Sequence, residues 1–493
     1  MKSKAIDDQN ASIPLQEVHG DEKWRIETEK PPLVPSKRLL ITILLFLSNA
    51  NQLWMRYNAN VAVIEMTSSK TILVDGNRNV TQLAEFQWDT KTVGFVLSIV
   101  HYGYLLSFLS GFVISKVGGS TGMAVSMMIS GILTVTQPLA LSCSFYLFVA
   151  CRFLIGVGEG FAYTGLIEVS SRWMPKSERG TLLSCSLNGF YVGVATIYPF
   201  CAFIVSIWGW PMVFYVTGII SWTFSLICLI LMRNHPSEDK WISKKELAFI
   251  LRETNTPGTK KVTTHPAELV FKSIPVLVLY LTNFFSGWIV NTAVSCLPLY
   301  VKDSTGKNTK EVALISSLPN CLCILIAASS GPMMDYWKGR SKIAQTQMHK
   351  IVIGVGFTVQ LISFLVQTFL GDLTTTIIIF VVIRLFEPFV LLTLGLISIN
   401  IAPNHTGLIA GYTSFWYSIG PIAAQTVASF MTTDQTINEW NNYFLLTAGI
   451  ALLGTILFTL YGSSEPQPWS ISPNFGKQSH KNEAAETLNI NFE

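Results

Sequence analysis

Charge is scarce in this 493-residue chain: Asp, Glu, Lys and Arg together make up 13% of it, whereas soluble domains carry about 25%. Half of the residues are hydrophobic and the mean hydropathy is +0.43, so a water-soluble enzyme is excluded. A disordered regulator is excluded too, because it needs low hydrophobicity and high charge. There is no Gly-x-x-x-x-Gly-Lys-Ser/Thr phosphate loop to drive ATP-dependent pumping. Neither a His-Glu-x-x-His pair nor a Gly-x-Ser-x-Gly turn is present to support intramembrane hydrolysis. The net charge of +4 is modest and no basic run is interleaved with aromatics, so no nucleic-acid partner is expected. The eight cysteines lack zinc-site spacing and all fall in apolar segments, where they read as small buried hydrophobes. No metal or cofactor is expected. Work has to come from an ion gradient or from the gradient of the substrate itself.

What the chain has in abundance is long apolar runs. A spanning helix needs about 20 largely apolar residues. Windows of that length predict twelve helices, at 39–66, 92–115, 120–142, 145–169, 180–206, 211–232, 273–300, 311–334, 351–371, 374–400, 406–430 and 441–463. The start, Met1–Lys37, has no apolar signal-peptide core. An even count puts both termini on one side. With the termini cytosolic, the inner loops hold Lys116, Arg172, Lys176, Arg179, the run from Arg233 to Lys272, Lys338, Arg340, Lys342 and Lys350. The outer loops hold Lys70, Arg78, Lys91, Lys302, Lys307 and Lys310. Sixteen basic residues inside against six outside is the positive-inside pattern.

The charged stretch 233–272 divides the chain into a cytosolic tail (1–38), a six-helix half (39–232), a cytosolic central loop (233–272), a second six-helix half (273–463) and a cytosolic tail (464–493). The halves echo each other. Ser110-Gly111-Phe-Val-Ile-Ser115-Lys116 follows the second predicted helix, and Ser330-Gly331-Pro-Met-Met-Asp335-Tyr-Trp-Lys-Gly339-Arg340 follows the eighth, 220 residues on. Gly111, Lys116, Asp335 and Arg340 are therefore candidate gating residues. Such a duplication describes an all-α membrane protein of the major facilitator type, with its substrate site between the halves near mid-membrane. Asn79-Val80-Thr81, in the long first outer loop, is a candidate glycosylation sequon. Asn10 and Asn404 fall on the cytosolic side and should stay unmodified.

A charge near the bilayer centre costs about 2.5–3.5 kcal/mol on insertion scales, so each one needs a reason. Arg56, Arg152, Glu159, Arg384 and Glu387 stand well inside predicted helices. Asn49, Gln52, Arg56 and Asn60 form one stripe on the first helix. Either they make interhelical hydrogen bonds with Arg56 paired to a carboxylate, or Arg56 lacks a local counterion and binds an anion, for which its rigid fork is suited. Arg152 and Glu159 share a face of the fourth helix but lie about 10 Å apart along it, too far for a tight pair. Glu159 sits among Gly156, Gly158 and Gly160, a surface that admits a close neighbouring helix. It either carries a proton or makes a static ion pair. Arg384 and Glu387 are i,i+3 neighbours and are expected to pair locally, in a structural or gating role. His101 is either a satisfied interhelical histidine or a proton relay. Tyr104, Asn188 and the stripe Asn283, Gly287, Asn291 and Ser295 complete the cavity candidates. The sign balance, with Arg56 and Arg152 against a protonatable Glu159, should favour anions.

At these residues the chain resembles a known family. Arg56-Tyr-Asn58-Ala-Asn-Val61-Ala62-Val-Ile-Glu65-Met66, Trp88-Asp89-Thr-Lys-Thr92-Val-Gly94, Arg152-Phe-Leu-Ile-Gly156-Val-Gly-Glu159-Gly160, Trp173-Met-Pro175-Lys-Ser-Glu178-Arg179, Gly209-Trp210-Pro211 and Ile401-Ala402-Pro403 are similar to stretches of the solute-carrier anion and phosphate symporters. That family includes sialin, the vesicular glutamate and nucleotide transporters and the renal-type sodium/phosphate transporters. The resemblance spans nearly the whole chain outside the tails. It implies twelve helices, an anionic substrate (a small organic anion or inorganic phosphate), and coupling to protons, sodium or membrane potential. By position it makes Arg56 and Arg152 substrate arginines and Glu159 the coupling acid. From the polar positions inside the helices, Asn60, Tyr104 and Asn291 are further substrate-binding candidates and His101 a further candidate for cation coupling. The chain departs from vesicular glutamate transporters at Leu97 and Ser286, where they carry histidine and arginine. It departs from sialin at Ile167 and Thr164, where that has histidine and proline. Arg384 and Glu387 match no motif of the family.

The expected function is secondary active anion transport by alternating access. A non-transporting membrane anion sensor and a passive anion channel on the same fold are the rivals. The expected partners are a small anionic substrate and membrane lipid, with no obligate protein partner. Glu29-Lys-Pro-Pro-Leu33-Val34 approaches an acidic dileucine sorting signal but ends in Val, so plasma membrane and lysosomal or vesicular membrane both stand.

Overall fold

The computed structural model describes residues 30–67, 70–74, 78–82, 85–254, 267–296, 300–301, 304, 309–434 and 436–471. Most of both tails, Asn10, Glu29 and part of the central loop lie outside these. Among the described residues, eight helices are long and apolar enough to cross a membrane. They are Gly119–Cys143, Phe145–Trp173, Arg179–Trp208, Trp210–Leu231, Ile274–Cys296, Gln345–Leu370, Leu373–Ile401 and Ile437–Tyr461. A ninth span consists of two pieces, Thr90–Tyr104 and Ser107–Val117, meeting at a 45° bend. Three more long helices, Lys37–Thr67, Thr309–Arg340 and Thr406–Met431, complete the set. In chain order these are the twelve spans, with Lys37–Thr67 the first and the bent pair the second.

In lipid, helices associate through close packing of small residues rather than through hydrophobic burial. The N-terminal half shows this directly. A Cβ on Gly103 would lie 2.0 Å from the Phe153 carbonyl oxygen, and one on Gly156 would lie 2.0 Å from that of Val100, so the second and fourth spans touch backbone to backbone. Gly189 meets the Phe46 carbonyl in the same way, joining the fifth span to the first. The bend in the second span follows directly after Gly103, where this contact pins the chain. Gly118 and Gly209 take positive φ, 96° and 79°, at the two tight turns that reverse the chain after the second and fifth spans. The C-terminal half packs around its own aromatic core, including Tyr300, Phe364, Phe380, Trp440 and Phe444.

Two features outside the spans differ from the sequence expectation. The long first loop contains an antiparallel hairpin, Lys70–Val74 with Arg78–Gln82, in which Ile72 faces Val80. Asn79 stands on its second strand. The central loop is partly folded, with a helix at Lys244–Thr254. Arg38, with a fully buried side chain, pairs with Glu178 at 2.8 Å and Glu246 at 3.4 Å and donates to the carbonyl of Pro31. Lys37 pairs with Asp239 at 3.0 Å. This charged knot ties the chain start, the loop after the fourth span and the central-loop helix to one face of the N-terminal half.

The cysteines correct a second expectation. All eight are free thiols, but Cys143, Cys185 and Cys321 are exposed on the bundle's outer surface. An apolar segment inside a membrane has a lipid face as well as a buried one, so apolar context alone does not bury a side chain. At the end of the bundle away from the termini, Asp89 and Asp372 cap the second and tenth spans. Hydrogen bonds from Thr92 and from Thr375 hold these carboxyls below the usual carboxylate range.

Candidate functional site

The first span carries Arg56 against the fourth span. The guanidinium of Arg56 donates to Glu159 Oε2, from Nε at 2.7 Å and from Nη2 at 2.5 Å. Its side chain keeps 15% exposure while that of Glu159 has 1%, so the open side of the pair lies at the arginine. Both of these bonds fall on one carboxylate oxygen. Oε1 of Glu159 is buried with no hydrogen-bond partner among the described residues. Tyr104, on the bent second span, places its ring centre 5.1 Å from the Arg56 guanidinium carbon, a cation–π contact. Of the two readings of Arg56, the structure shows the one with a carboxylate partner, and that partner is 103 residues away in sequence. The glycines flanking Glu159 pack against other neighbours, Gly156 and Gly160 against the second span and Gly158 against Ser130 of the third.

Arg152 lies deeper. Its guanidinium is completely buried and faces the backbone of the first span, donating to the carbonyls of Met55 (3.0 Å) and Arg56 (2.8 Å) and to Asn58 Oδ1 (3.3 Å). These bonds tie it to the first span, while its Nε is buried with no hydrogen-bond partner among the described residues. His101 lies within electrostatic reach of both arginines. Asn60 Nδ2 donates to the Tyr198 hydroxyl of the fifth span at 3.3 Å, and Asn49 donates to the Ser186 carbonyl. That part of the polar stripe therefore makes interhelical hydrogen bonds. Asn291 ends the regular helix of the seventh span, which continues as a π turn, Thr292–Cys296. Its Oδ1 accepts from Ser295 at 3.0 Å and its Nδ2 is buried without a hydrogen-bond partner among the described residues. Gly287 of the same predicted stripe is a crossing point, pressed against the Tyr417 carbonyl of the eleventh span.

The gating candidates separate into two groups. Gly111 lies at the seam between the halves; a Cβ there would be 2.7 Å from Leu408 Cα. Asp335, ending the eighth span, accepts from the backbone of Gly180 and Thr181 and from the Thr181 hydroxyl, which start the fifth span in the other half. Lys116 is exposed, and among the described residues Arg340 reaches only Tyr336 of its own helix, so neither spans the seam here. Between Asp335, Arg179, Lys338 and His349 a crevice of only about 10 Å³ remains, room for about one water. The seam is shut at the end that carries the termini.

Arg384 and Glu387 of the tenth span form the expected local pair. The fifth span adds a residue that sequence reading did not find: the Tyr191 hydroxyl donates to Glu387 Oε1 at 3.3 Å. Nothing in the surrounding apolar run marks Tyr191, and only the tertiary structure brings it to the pair.

Twelve spans in two halves, sealed at one end over buried charge pairs, define a polytopic membrane transporter. A family model described as Major Facilitator Superfamily matches residues 45–424, and the chain belongs to that superfamily. Human sialin (Homo sapiens) is 27% identical over 468 residues, covering 91% of this chain and 94% of that protein. Vesicular glutamate transporter 3 of Danio rerio is 25% identical over 446 residues, 89% of this chain and 75% of that protein. The solved structure of the proton:xylose symporter XylE superposes with a TM-score of 0.67 at 14% identity, covering 87% of this chain and 96% of that one. These relatives are transporters, not enzymes.

Proposed function

We propose that this transporter moves a small anion, organic or inorganic phosphate, across its membrane by alternating access, coupled to a cation that acts at Glu159. The observation that carries this is the Arg56–Glu159 pair with its exposed arginine and its unpartnered Oε1. Breaking a buried ion pair by removing one charge is costly. A proton arriving on Oε1 neutralises Glu159 and leaves Arg56 without its partner at the open side. An anion that supplies a carboxylate or phosphate oxygen then restores the balance, so proton and anion favour each other's binding, which is the linkage a symporter requires. Sodium is the alternative coupling ion. Similarity to sialin and the vesicular glutamate transporters over about nine-tenths of the chain supports an anionic cargo.

Arg152 acts in this reading by fixing the first-span backbone at Arg56. Termini on the cytosolic side agree with the distribution of basic residues. The location favoured is a vesicular membrane, as the names of the glutamate-transporting relatives state for them, with the plasma membrane as the alternative. The dileucine-like stretch adds no support, because Leu33 packs against the N-terminal half while Val34 is 70% exposed.

The test is uptake by proteoliposomes of labelled phosphate, sialic acid, urate, glutamate and ATP under separate pH, sodium and voltage gradients. Glu159→Gln should bind the anion yet lose acceleration by an imposed gradient. Arg56→Ala should lose saturable uptake. Retained gradient drive in the first variant, or wild-type affinity in the second, removes the reading.

A further inference from the structure

The fourth and tenth spans are counterparts in the two halves. Phe145–Trp173 and Leu373–Ile401 both have 29 residues, and Glu159 and Glu387 each stand at the fifteenth position of their helix. Both carboxylates are buried, at 1% and 2% exposure, and each holds an arginine, Arg56 and Arg384. Each pair also has a tyrosine ring beside the guanidinium, Tyr104 at 5.1 Å and Tyr191 at 5.8 Å.

The C-terminal pair is completed from the other half. Tyr191, its hydroxyl donor, belongs to the fifth span and packs with Cys323 and Ala327 of the eighth. The groups facing Glu387 are Arg384 on its own helix, Tyr191, and Tyr417 of the eleventh span, with Cys323 beside Arg384. Tyr417 is also within electrostatic reach of Tyr163 and Tyr104, and Tyr104 of Arg56 and Glu159. Tyr104 and Tyr417 thus lie between the two ion pairs.

We propose that Glu387 is a second proton-binding site, the C-terminal counterpart of Glu159, so that each transport cycle carries two protons. This rests on the reading that Glu159 takes the first. A static i,i+3 pair would be closed within its own helix, whereas this one depends on a donor across the seam that moves when the halves rock. A carboxylate that loses a hydrogen-bond donor to its charged form is more readily protonated. Glu387 therefore takes up a proton in the state that pulls Tyr191 away and returns it when the contact re-forms. In this chemistry the proton comes from and returns to water, and no other bond is made or broken.

The experiment is the pH dependence of initial uptake in proteoliposomes, for whichever panel anion is transported. Wild-type protein should show a steepness of about two protons and Glu387→Gln about one, with substrate KM changed by less than about twofold. Arg384→Gln/Glu387→Gln, which leaves no buried charge unpaired, carries the same expectation if the single variant does not reach the membrane. Tyr191→Phe should keep the steepness and move the midpoint. A slope near one in wild type, an unchanged slope in the Glu387 variants, or an unmoved midpoint in Tyr191→Phe overturns the proposal. If Glu159→Gln loses pH drive while Glu387→Gln keeps the full slope, this inference fails and the reading of Glu159 stands. If Glu159→Gln keeps its drive, the earlier reading itself fails.

Discussion

The carboxylate of Asp335 accepts from the backbone N–H of Gly180 at 3.0 Å and of Thr181 at 2.7 Å, so a side chain of one half caps the helix that opens the fifth span of the other. A negative charge at a helix N-terminus meets unsatisfied N–H groups and the positive end of the dipole. This latch exists only while the seam is shut at that end.

Asp335→Asn keeps the shape and removes the charge. Hydrogen bonds to a charged group contribute about 1.5–3 kcal/mol, so the closed state should lose about tenfold or more in population. Spin labels at the exposed positions Lys116 and Arg340, one in each half, report the change. A distance distribution identical to that of the parent would show that Asp335 does not hold the seam.

Gly111 gives a steric test of the same closure. A Cβ at this position would meet Leu408 Cα at 2.7 Å and the Gly407 carbonyl oxygen at 2.8 Å, both backbone atoms that cannot swing aside as a flexible side chain would. Gly111→Ala should populate the open seam and reduce uptake severalfold at normal expression. Gly94→Ala is the control, since a Cβ there meets nothing within 4 Å, and replacing a helical glycine by alanine favours the helix by about 1 kcal/mol. Equal behaviour of the two variants would dissociate the glycine contact from gating.

The spans were legible in the sequence because a twenty-residue apolar run has few other uses. Phe145–Trp173 and Leu373–Ile401 begin within a residue of their predicted starts. The bend after Tyr104 was not legible, since its cause is backbone contact with the fourth span and no proline marks it. Of the charged residues in the site, the i,i+3 neighbours Arg384 and Glu387 could be paired from sequence, and the others only located. Glu159 was visible as a protonatable acid, yet that it holds Arg56 follows only from the packing of the first span on the fourth. Glu246 falls in the predicted cytosolic central loop, where nothing in the sequence marks its burial with Arg38.

Arg152 distinguishes the two arginines that sequence treated alike. Its fork donates to two first-span carbonyls and an asparagine, a planar geometry that lysine does not reproduce. Arg152→Lys should lower thermal stability in detergent, with the KM for anion in the surviving folded protein close to that of the parent. Arg56→Lys should raise KM with little loss of stability, because its side chain keeps contact with solvent. A reversal of these two phenotypes would return Arg152 to the substrate.

Arg38 tests whether the charged knot is structural. Its guanidinium is wholly buried between Glu178 and Glu246, and Glu246 also accepts from the backbone N–H of Lys37 and Arg38 at 3.1 and 2.9 Å. Removing the guanidinium leaves Glu246 without its cation and Glu178 with only the half-exposed Lys30, at 2.8 Å, and breaking a buried ion group costs about 3–5 kcal/mol. Arg38→Ala should therefore lower the melting temperature and speed tryptic cleavage within Lys244–Thr254 as that helix detaches. Combining it with Glu178→Gln and Glu246→Gln removes the stranded charges and should recover part of the loss, as replacement of a whole buried ion group does. If the triple variant melts no higher than Arg38→Ala, the destabilisation comes from lost packing of the arginine side chain and not from uncompensated charge.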